Sequence, residues 1–262
     1  MNSPFAWPGG KRALTRTLLS LIPKHEMYVE VFAGSAKLLF AKEPARFEVM
    51  NDLNSDVTNF FRVAKHRAAE LAERLELEIV HAGRFQELRH SLLPTDGDEI
   101  ERALRFAYLV WYSFGAKGEH FASASAAHTR MRRSLDTVRD LLHATAQRLY
   151  PVLIEQRDFA EILTRYDSAE TFFYLDPPYV KFQSNGRYGP LPEEKRAQLF
   201  SMLAALKGRF LMSFDDCAEV RSRAREHGMN LRPVRVQYTI CGNRGHGEEK
   251  AREVLIANFP LK

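Results

Sequence analysis

Residues 28–36, YVEVFAGSA, predict a short buried strand followed by a turn into a helix that ends near residue 42. A second strand over about 46–50 comes next and ends at Asn51-Asp52. Five more apolar runs are typical of buried strands: VLIEQ (152–156), TFFYL (171–175), FLMSF (210–214), LRPVRVQYTI (231–240) and EVLIANF (253–259). Because strands that alternate with helices form open sheets, the sequence predicts a largely parallel α/β sheet.

Residues of about 55–145 carry helical periodicity and almost no strand pattern. Helices are predicted over 55–78, with Ser55 as the N-cap, over 84–91, 99–113 and 134–149, and from about Asp158. The sequence therefore predicts a discontinuous core, residues 1–54 and 146–262, which a helical subdomain of residues 55–145 interrupts.

Length and composition exclude several protein classes. A chain of 262 residues, 45% of them hydrophobic, is long enough to bury a core without a disulfide or metal staple. No apolar run approaches the roughly 20 residues that span a bilayer, so no membrane partner is expected. Two cysteines, Cys217 and Cys241, cannot form a zinc cluster alone and favour a reduced, cytoplasmic protein. We expect no metal and a monomer or weak dimer.

The charge balance permits a polyanionic partner. The chain has 38 Lys and Arg against 33 Asp and Glu, a formal net charge of +5. Within the stretch from Trp111 to Arg133, only Glu119 opposes four basic residues, namely Lys117, Arg130, Arg132 and Arg133. A solvated loop with a basic end is the alternative interpretation.

The first two strands predict a nucleoside site. Gly34 follows the first strand, and Asp52 ends the second strand eighteen residues later. Open α/β sheets bind ligands at the carboxyl ends of their strands, and dinucleotide-binding folds place a ribose-binding acid at similar spacing. Only one of the expected glycines is present, which favours an adenosine ligand without phosphates. A strand, a turn and a capping aspartate without a ligand remain the alternative.

The turn WPGGK at residues 7–11 is a second candidate. No Ser or Thr follows Lys11, so the stretch is not a phosphate-binding P-loop. A lysine at this position can hold a carboxylate, or it can be a solvated residue of an N-terminal turn.

The most specific pattern is TFFYLDPPYV at residues 171–180, where an apolar strand ends in Asp176-Pro177-Pro178-Tyr179. The two prolines stiffen the turn and remove two N–H donors. Asp176 and the Pro177 carbonyl can each accept an N–H from a flat heterocycle with an exocyclic amine, while Tyr179 stacks on the ring. Such acceptors favour the pyramidal nitrogen that attacks an electrophile. A plain rigid turn is the alternative.

These motifs occur in the order seen in the Dam-type, or D12 class, DNA adenine-N6 methyltransferases: WPGGK, YVEVFAGSA, NDLNSD (51–56), RDF (157–159) and DPPY. The chain resembles that family from about residue 5 to REVLIANF. The resemblance implies a Rossmann-like S-adenosylmethionine-dependent methyltransferase sheet with an inserted, mainly helical target-recognition domain. It also implies site-specific transfer of a methyl group from S-adenosyl-L-methionine to N6 of a flipped-out adenine in double-stranded DNA, by a solitary enzyme or a restriction–modification partner.

The resemblance also implies roles for single residues. The cofactor would contact Trp7, Lys11, Phe32, Ala33, Gly34, Asp52, Asp158, Phe159 and Asp176, with Lys11 near its methionine part, Asp52 at its ribose, and Asp158 and Phe159 at its adenine. The catalytic residues would be Asp176, Pro177 and Tyr179. DNA would contact Lys117, His120, Arg130, Arg132 and Arg133, since Tyr112–Ser123 resembles the DNA-reading hairpin of the family.

Three departures and two alternatives accompany this resemblance. Ala6 stands where Dam-type enzymes usually carry a DNA-reading lysine, and Ala36 stands where the cofactor loop often has a second glycine. The hairpin lacks the usual Asn and Pro-x-Gly pattern of the family. Because DPPY also occurs in enzymes that act on RNA, an RNA adenine-N6 methyltransferase is one alternative. The other is a DNA-binding protein that has lost methyl transfer.

Overall fold

The structure is a computed structural model of the 262-residue chain. It describes residues 1–9, 11, 13–91, 97–122, 135–180, 189–236 and 251–261.

The described strands form one seven-stranded sheet. They are β1 (Met27–Glu30), β2 (Phe47–Asn51), β3 (Val152–Glu155), β4 (Thr171–Leu175), β5 (Arg209–Asp215), β6 (Asn230–Val236) and β7 (Ala251–Ala257), in the order β3-β2-β1-β4-β5-β7-β6. Strands β1 to β5 are parallel to one another, while β7 is antiparallel to both β5 and β6. The predicted mixed fold with a largely parallel sheet is confirmed, and the reversal of β7 was not foreseen.

The described residues also form ten α-helices. They are α1 (Thr15–Leu21), α2 (Lys37–Ala41), α3 (Ser55–His66), α4 (Ala68–Glu76), α5 (Ala82–His90), α6 (Glu99–Trp111), α7 (Leu135–Leu149), α8 (Phe159–Tyr166), α9 (Glu193–Ala205) and α10 (Ala218–Glu226).

The single helix predicted over 55–78 is wrong. Arg67 leaves the helical conformation, with φ −134° and ψ 36°, and so separates α3 from α4. The predicted N-cap is also one residue off. The Asn54 side chain accepts hydrogen bonds from the backbone N–H groups of Asp56 and Val57, which satisfies the first turn of α3.

Helices cover both faces of the sheet. Alternate side chains of the central strands, among them Tyr28 and Phe172, pack with α1 to α7 in one continuous core. The opposite face, with Val29 and Phe173, packs against α8, α9 and α10. Of the helices between β2 and β3, α3 and α7 contact β3, and α4, α5 and α6 pack on them or on one another. The division into residues 1–54 with 146–262, and 55–145, stays a prediction.

The order of the strands fixes where a ligand can bind. From β1 the chain proceeds to β2 and β3 on one side, and then returns to β4 and β5 on the other. The loops that leave β1 and β4 therefore diverge, and such a switch point opens a crevice at the carboxyl ends of the strands.

Candidate active site

A pocket of about 350 Å³ lies at the carboxyl ends of β1, β2 and β4. Its walls come from the N-terminal segment, the loops after these strands, and the beginning of α8 and α9. All eleven residues predicted to contact the cofactor or the target amine line it, namely Trp7, Lys11, Phe32, Ala33, Gly34, Asp52, Asp158, Phe159, Asp176, Pro177 and Tyr179. The fold thus brings together motifs that are far apart in the sequence; Lys11 and Asp176, for example, are separated by 165 positions.

The ion pair between Lys11 and Asp176 is the central contact of the pocket. The ammonium nitrogen of Lys11 lies 2.7 and 2.8 Å from the two carboxylate oxygens of Asp176. The Ser213 hydroxyl donates a further hydrogen bond to Asp176 at 3.1 Å, and Lys11 donates to the Gly9 carbonyl at 2.8 Å. Lys11 is only 5% exposed, so the interpretation as a solvated lysine is wrong.

Tyr179 forms the aromatic wall that follows the two prolines. Its ring stacks on Phe214, with ring centroids 5.5 Å apart and planes 18° from parallel. The ammonium of Lys11 lies 4.7 Å from the centroid of the same ring. The turn is anchored where the Val180 N–H donates to Asp215 at 3.2 Å. Burial raises the pKa of Tyr179 well above its ordinary value, so the phenol stays neutral.

The loop after β1 is held by the acid that ends β2. The two carboxylate oxygens of Asp52 accept the N–H groups of Gly34 at 2.7 Å and of Asn54 at 2.9 Å. Gly34 adopts φ +49°, and a Cβ there would lie 2.7 Å from Trp7 Cδ1. We expected this glycine to admit a ligand, but the close approach is made by the Trp7 indole.

Asp158 and Phe159 form the wall at the start of α8. The Asp158 carboxylate caps this helix, accepting the Ala160 N–H at 2.9 Å, and also pairs with Lys195 at 3.1 Å. The Phe159 ring is buried and lies 5.9 Å from the ring of Phe32. This wall is therefore mainly aromatic, with one paired charge at its edge.

Two buried acids near Asp176 were missed by the sequence analysis. Glu30 ends β1 and accepts hydrogen bonds from the Tyr28 hydroxyl at 2.8 Å and the Leu39 N–H at 2.9 Å. Burial raises its pKa to about 8, and the charge of Asp176 adds to the rise. Glu253 lies at the beginning of β7 and is 1% exposed. An acid inside an otherwise apolar strand, as in YVEVF and REVLI, was the available signal.

A short hairpin follows α6 and carries two of the predicted DNA-binding residues. Ser113 and Phe121 form an antiparallel bridge, and the Phe114 N–H donates to the His120 carbonyl at 2.9 Å. Lys117 and His120 are both exposed. The other predicted contacts, Arg130, Arg132 and Arg133, lie outside the described residues.

The N-terminal segment links this hairpin to the pocket. The Trp111 indole N–H, at the end of α6, donates to the Pro4 carbonyl at 3.2 Å. Phe106, also on α6, lies 5.2 Å from the ring of Phe5 and 5.9 Å from that of Trp7. The helix that leads into the hairpin is therefore packed against the segment that carries Trp7 into the pocket.

No helix in the described ranges is both long and apolar enough to cross a bilayer. In those same ranges, no group of three or more His, Cys, Asp or Glu side chains could hold a metal ion.

The chain is similar to known proteins over nearly its whole length. The sequence model of the D12 class N6 adenine-specific DNA methyltransferases matches residues 7–240. A type II methyltransferase of Lactococcus lactis subsp. cremoris, M1.LlaDCHI, is 24% identical over 98% of this chain and 95% of its own. The DNA adenine methylase of Escherichia coli (strain K12) is 23% identical over 97% of this chain and 94% of its own.

Proposed function

This chain belongs to the D12 class of N6 adenine-specific DNA methyltransferases, and from that premise we propose that methyl transfer takes place in the pocket beside Asp176. Site-specific methylation of DNA adenine is its activity. One observation supports the assignment of the pocket: Asp176, Pro177 and Tyr179 line it together with the loop of Gly34 and with Asp52, the acid at the spacing expected of a ribose ligand.

S-adenosyl-L-methionine is the cofactor that we assign to this pocket, where it would supply an electrophilic methyl group on a sulfonium. The donor set fits that molecule. Asp52 can accept the hydroxyls of a ribose, the aromatic wall of Phe32 and Phe159 suits an adenine, and the buried Lys11 ammonium suits a carboxylate. Trp7 closes the N-terminal side against Gly34.

The DPPY turn would hold the target amine. Asp176 and the carbonyl of Pro177 would accept the two hydrogens of the adenine N6, which leaves the lone pair free to point at the methyl carbon. Tyr179 would stack on the flat base. Because the lone pair of an exocyclic amine is delocalised into the ring, this alignment would supply most of the acceleration.

An adenine in a duplex is stacked, so the target base must leave the helix to enter the pocket. We assign recognition of double-stranded DNA to the helical segment 55–145, including Lys117 and His120, with Arg130, Arg132 and Arg133 as further phosphate contacts. We also propose that the protein acts in the cytoplasm as a monomer or weak dimer; its two cysteines in 262 residues support a reducing compartment.

The first experiment is to incubate the protein with labelled S-adenosylmethionine and plasmid DNA, and to map N6-methyladenine by single-molecule sequencing. We expect marks at one recurrent sequence. An RNA substrate is tested in parallel, and label in RNA alone would contradict the assignment to DNA. If neither nucleic acid is labelled, the lost-transfer alternative holds.

Replacing Lys117 by Ala tests the DNA contact of the hairpin. The exposed ammonium is suited to a phosphate, so K117A should weaken DNA binding and reduce the slope of log affinity against log salt by about 1. Fluorescence anisotropy with a labelled duplex at several salt concentrations measures both. Lys24→Ala is the matched control, because Lys24 is exposed just before β1, at the edge of the sheet away from the pocket. If the slope of log affinity against log salt were equal in both variants, Lys117 would not contact the DNA backbone.

A further inference from the structure

Buried polar side chains extend from the pocket across one face of the sheet. The Ser213 hydroxyl of β5, which donates to Asp176, lies 3.2 Å from the Tyr174 hydroxyl of β4. Two residues further along β5, Asp215 lies directly opposite Glu253 of β7 in the antiparallel register. Strands β4, β5 and β7 therefore bring three carboxyl groups to the same edge, behind the turn that carries Tyr179.

Glu253 is the most enclosed of these three acids. Glu253 is 1% exposed, and burial raises the pKa of its carboxyl to about 7. The charges of Asp176 and Asp215 raise the pKa further, while Lys11 and the Tyr179 hydroxyl lower it. Tyr174 also faces this cluster, and Val234 is the residue opposite Glu253 on β6.

The hydroxyl of Tyr179 points to the same place. This oxygen is completely buried and makes no hydrogen bond of regular geometry with the described residues. The Val180 N–H, next to Tyr179 in the chain, donates to Asp215, and Asp215 lies opposite Glu253 on β7, so the Glu253 carboxyl is placed close behind Tyr179. In keeping with this placement, the Tyr179 hydroxyl lowers the pKa of Glu253, and the charges of Asp176 and Glu253 both raise the pKa of Tyr179. A buried phenol needs an acceptor. The Ser213 hydroxyl, which lowers the pKa of Tyr179, and the Glu253 carboxylate are both near, and the carboxylate is the stronger acceptor.

We propose that Glu253 is a positioning residue for methyl transfer, whose ionised carboxylate holds the Tyr179 hydroxyl and increases the negative potential at Asp176. The inference rests on the roles proposed above for Asp176 and Tyr179. It assigns work to an acid that belongs to neither the DPPY turn nor the glycine loop.

The chemistry of the step explains why a second negative charge helps. The N6 lone pair forms a bond to the methyl carbon while the carbon–sulfur bond of the donor breaks and its electron pair stays on sulfur. Positive charge therefore moves from sulfur to N6, and one N6 proton then passes to the Asp176 carboxylate. A neighbouring carboxylate stabilises the charge as it arrives at N6 and makes Asp176 more basic.

The test is the pH profile of single-turnover methyl transfer between pH 5.5 and 8.5, at saturating cofactor and duplex DNA. In the unaltered enzyme the rate constant should rise through an inflection near pH 7. Glu253→Gln keeps the shape of the side chain but cannot ionise, so it should lack the rise and be about 10-fold slower at pH 8, with little change at pH 6. The dissociation constant of the cofactor should stay within about twofold.

Three further variants keep the inference falsifiable. Glu253→Asp restores an ionisable group and should restore the inflection, which a purely structural role would not require. Glu30→Gln removes another buried acid of the site whose pKa is raised, and an inflection lost there but kept in E253Q would overturn the proposal. Tyr179→Phe removes only the hydroxyl, and its effect should not add to that of E253Q.

The outcomes separate this inference from the proposed function. If the unaltered protein methylates no DNA, the proposed function fails before Glu253 is tested. If it methylates DNA and E253Q keeps the full pH profile, the assignment of Glu253 alone is wrong. Thermal unfolding of each variant shows whether a slow rate reflects loss of the folded protein.

Discussion

Two lysine–carboxylate pairs lie against the same sheet, one at each end of its strands. Lys11 and Asp176 meet at the carboxyl ends of the strands, while Lys42 and Glu48 meet near the beginning of β2, and both pairs have nitrogen and oxygen 2.7 Å apart. Their surroundings differ. The Glu48 side chain is 1% exposed, whereas that of Asp176 is 21% exposed and faces the pocket.

The difference lies in how far each carboxylate is saturated. Glu48 accepts hydrogen bonds from Lys42, from the Ala45 N–H and from the Arg148 guanidinium, which also bonds the Leu39 carbonyl on α2. Asp176 accepts hydrogen bonds only from the Lys11 ammonium and the Ser213 hydroxyl among the contacts described above. A carboxylate with partners on every side can only hold the fold, while one that opens into a cavity keeps room for a further donor. The distance between two charges therefore says less about function than what else surrounds them.

The largest expected effect tests the open pair. Asp176→Ala removes the proposed acceptor of the target amine, so the rate of methyl transfer should fall by about a hundredfold to a thousandfold or more. DNA affinity, which depends on phosphate contacts elsewhere, should change little. Labelled methyl transfer and fluorescence anisotropy measure the two quantities. A variant that still methylates near the original rate would show that the proposed mechanism is wrong.

The second prediction concerns the closed pair. Glu48→Ala leaves the Lys42 ammonium and the Arg148 guanidinium buried without their shared acceptor, which should lower the free energy of unfolding by about 3–5 kcal/mol. Urea denaturation measures the loss. Glu70→Ala is the control, because the exposed Arg67–Glu70 pair should contribute nothing measurable. If E48A were as stable as the original chain but inactive, the assignment of a purely structural role to the Lys42–Glu48 pair would be wrong.

A third prediction concerns Glu30, whose pKa depends on one member of each pair. The charge of Asp176 raises this pKa, and the charge of Lys42 lowers it. Its pKa rises from 4.5 in the unfolded chain to about 8 in the fold. Between these values the folded state keeps a proton that the unfolded state has lost, so stability falls as pH rises through this window.

The change across the window should be on the order of 2–4 kcal/mol. Glu30→Gln should make the free energy of unfolding less dependent on pH, although Glu253 retains part of the slope. Urea denaturation at pH 5 and pH 8 checks this. An unchanged slope would place the titration elsewhere.

These comparisons also show what the sequence can and cannot predict. The strands were predictable because burial on both faces demands consecutive apolar residues, as in TFFYL. The pairing of Lys11 with Asp176 was not, since no local pattern relates residues that far apart. Helix α9 was missed although Leu199, Phe200 and Leu203 have helical spacing, and that signal was available. The pKa of Glu30 depends on desolvation, which only the packed structure defines.

The smallest expected effect comes from substituting two glycines, Gly34 and Gly208, which lie at opposite ends of the strands. At Gly34, Ala would have to keep φ +49° and would push on the Trp7 indole, a side chain that can move. At Gly208, near the beginning of β5, an added Cβ would lie 2.8 and 2.9 Å from the backbone carbonyl oxygens of Thr171 and Ser168. These backbone atoms cannot move aside as a side chain can.

Gly34→Ala should therefore cost about 1 kcal/mol of stability and weaken cofactor binding, because Trp7 and the loop it closes are displaced. Ala36, two residues on, already holds φ +50° in the folded chain, so the fold tolerates such strain once in this loop. Gly208→Ala should destabilise the protein without altering cofactor affinity. Calorimetric titration of both variants with S-adenosylmethionine separates the cases. Equal affinities would mean that Trp7 does not form part of the cofactor site.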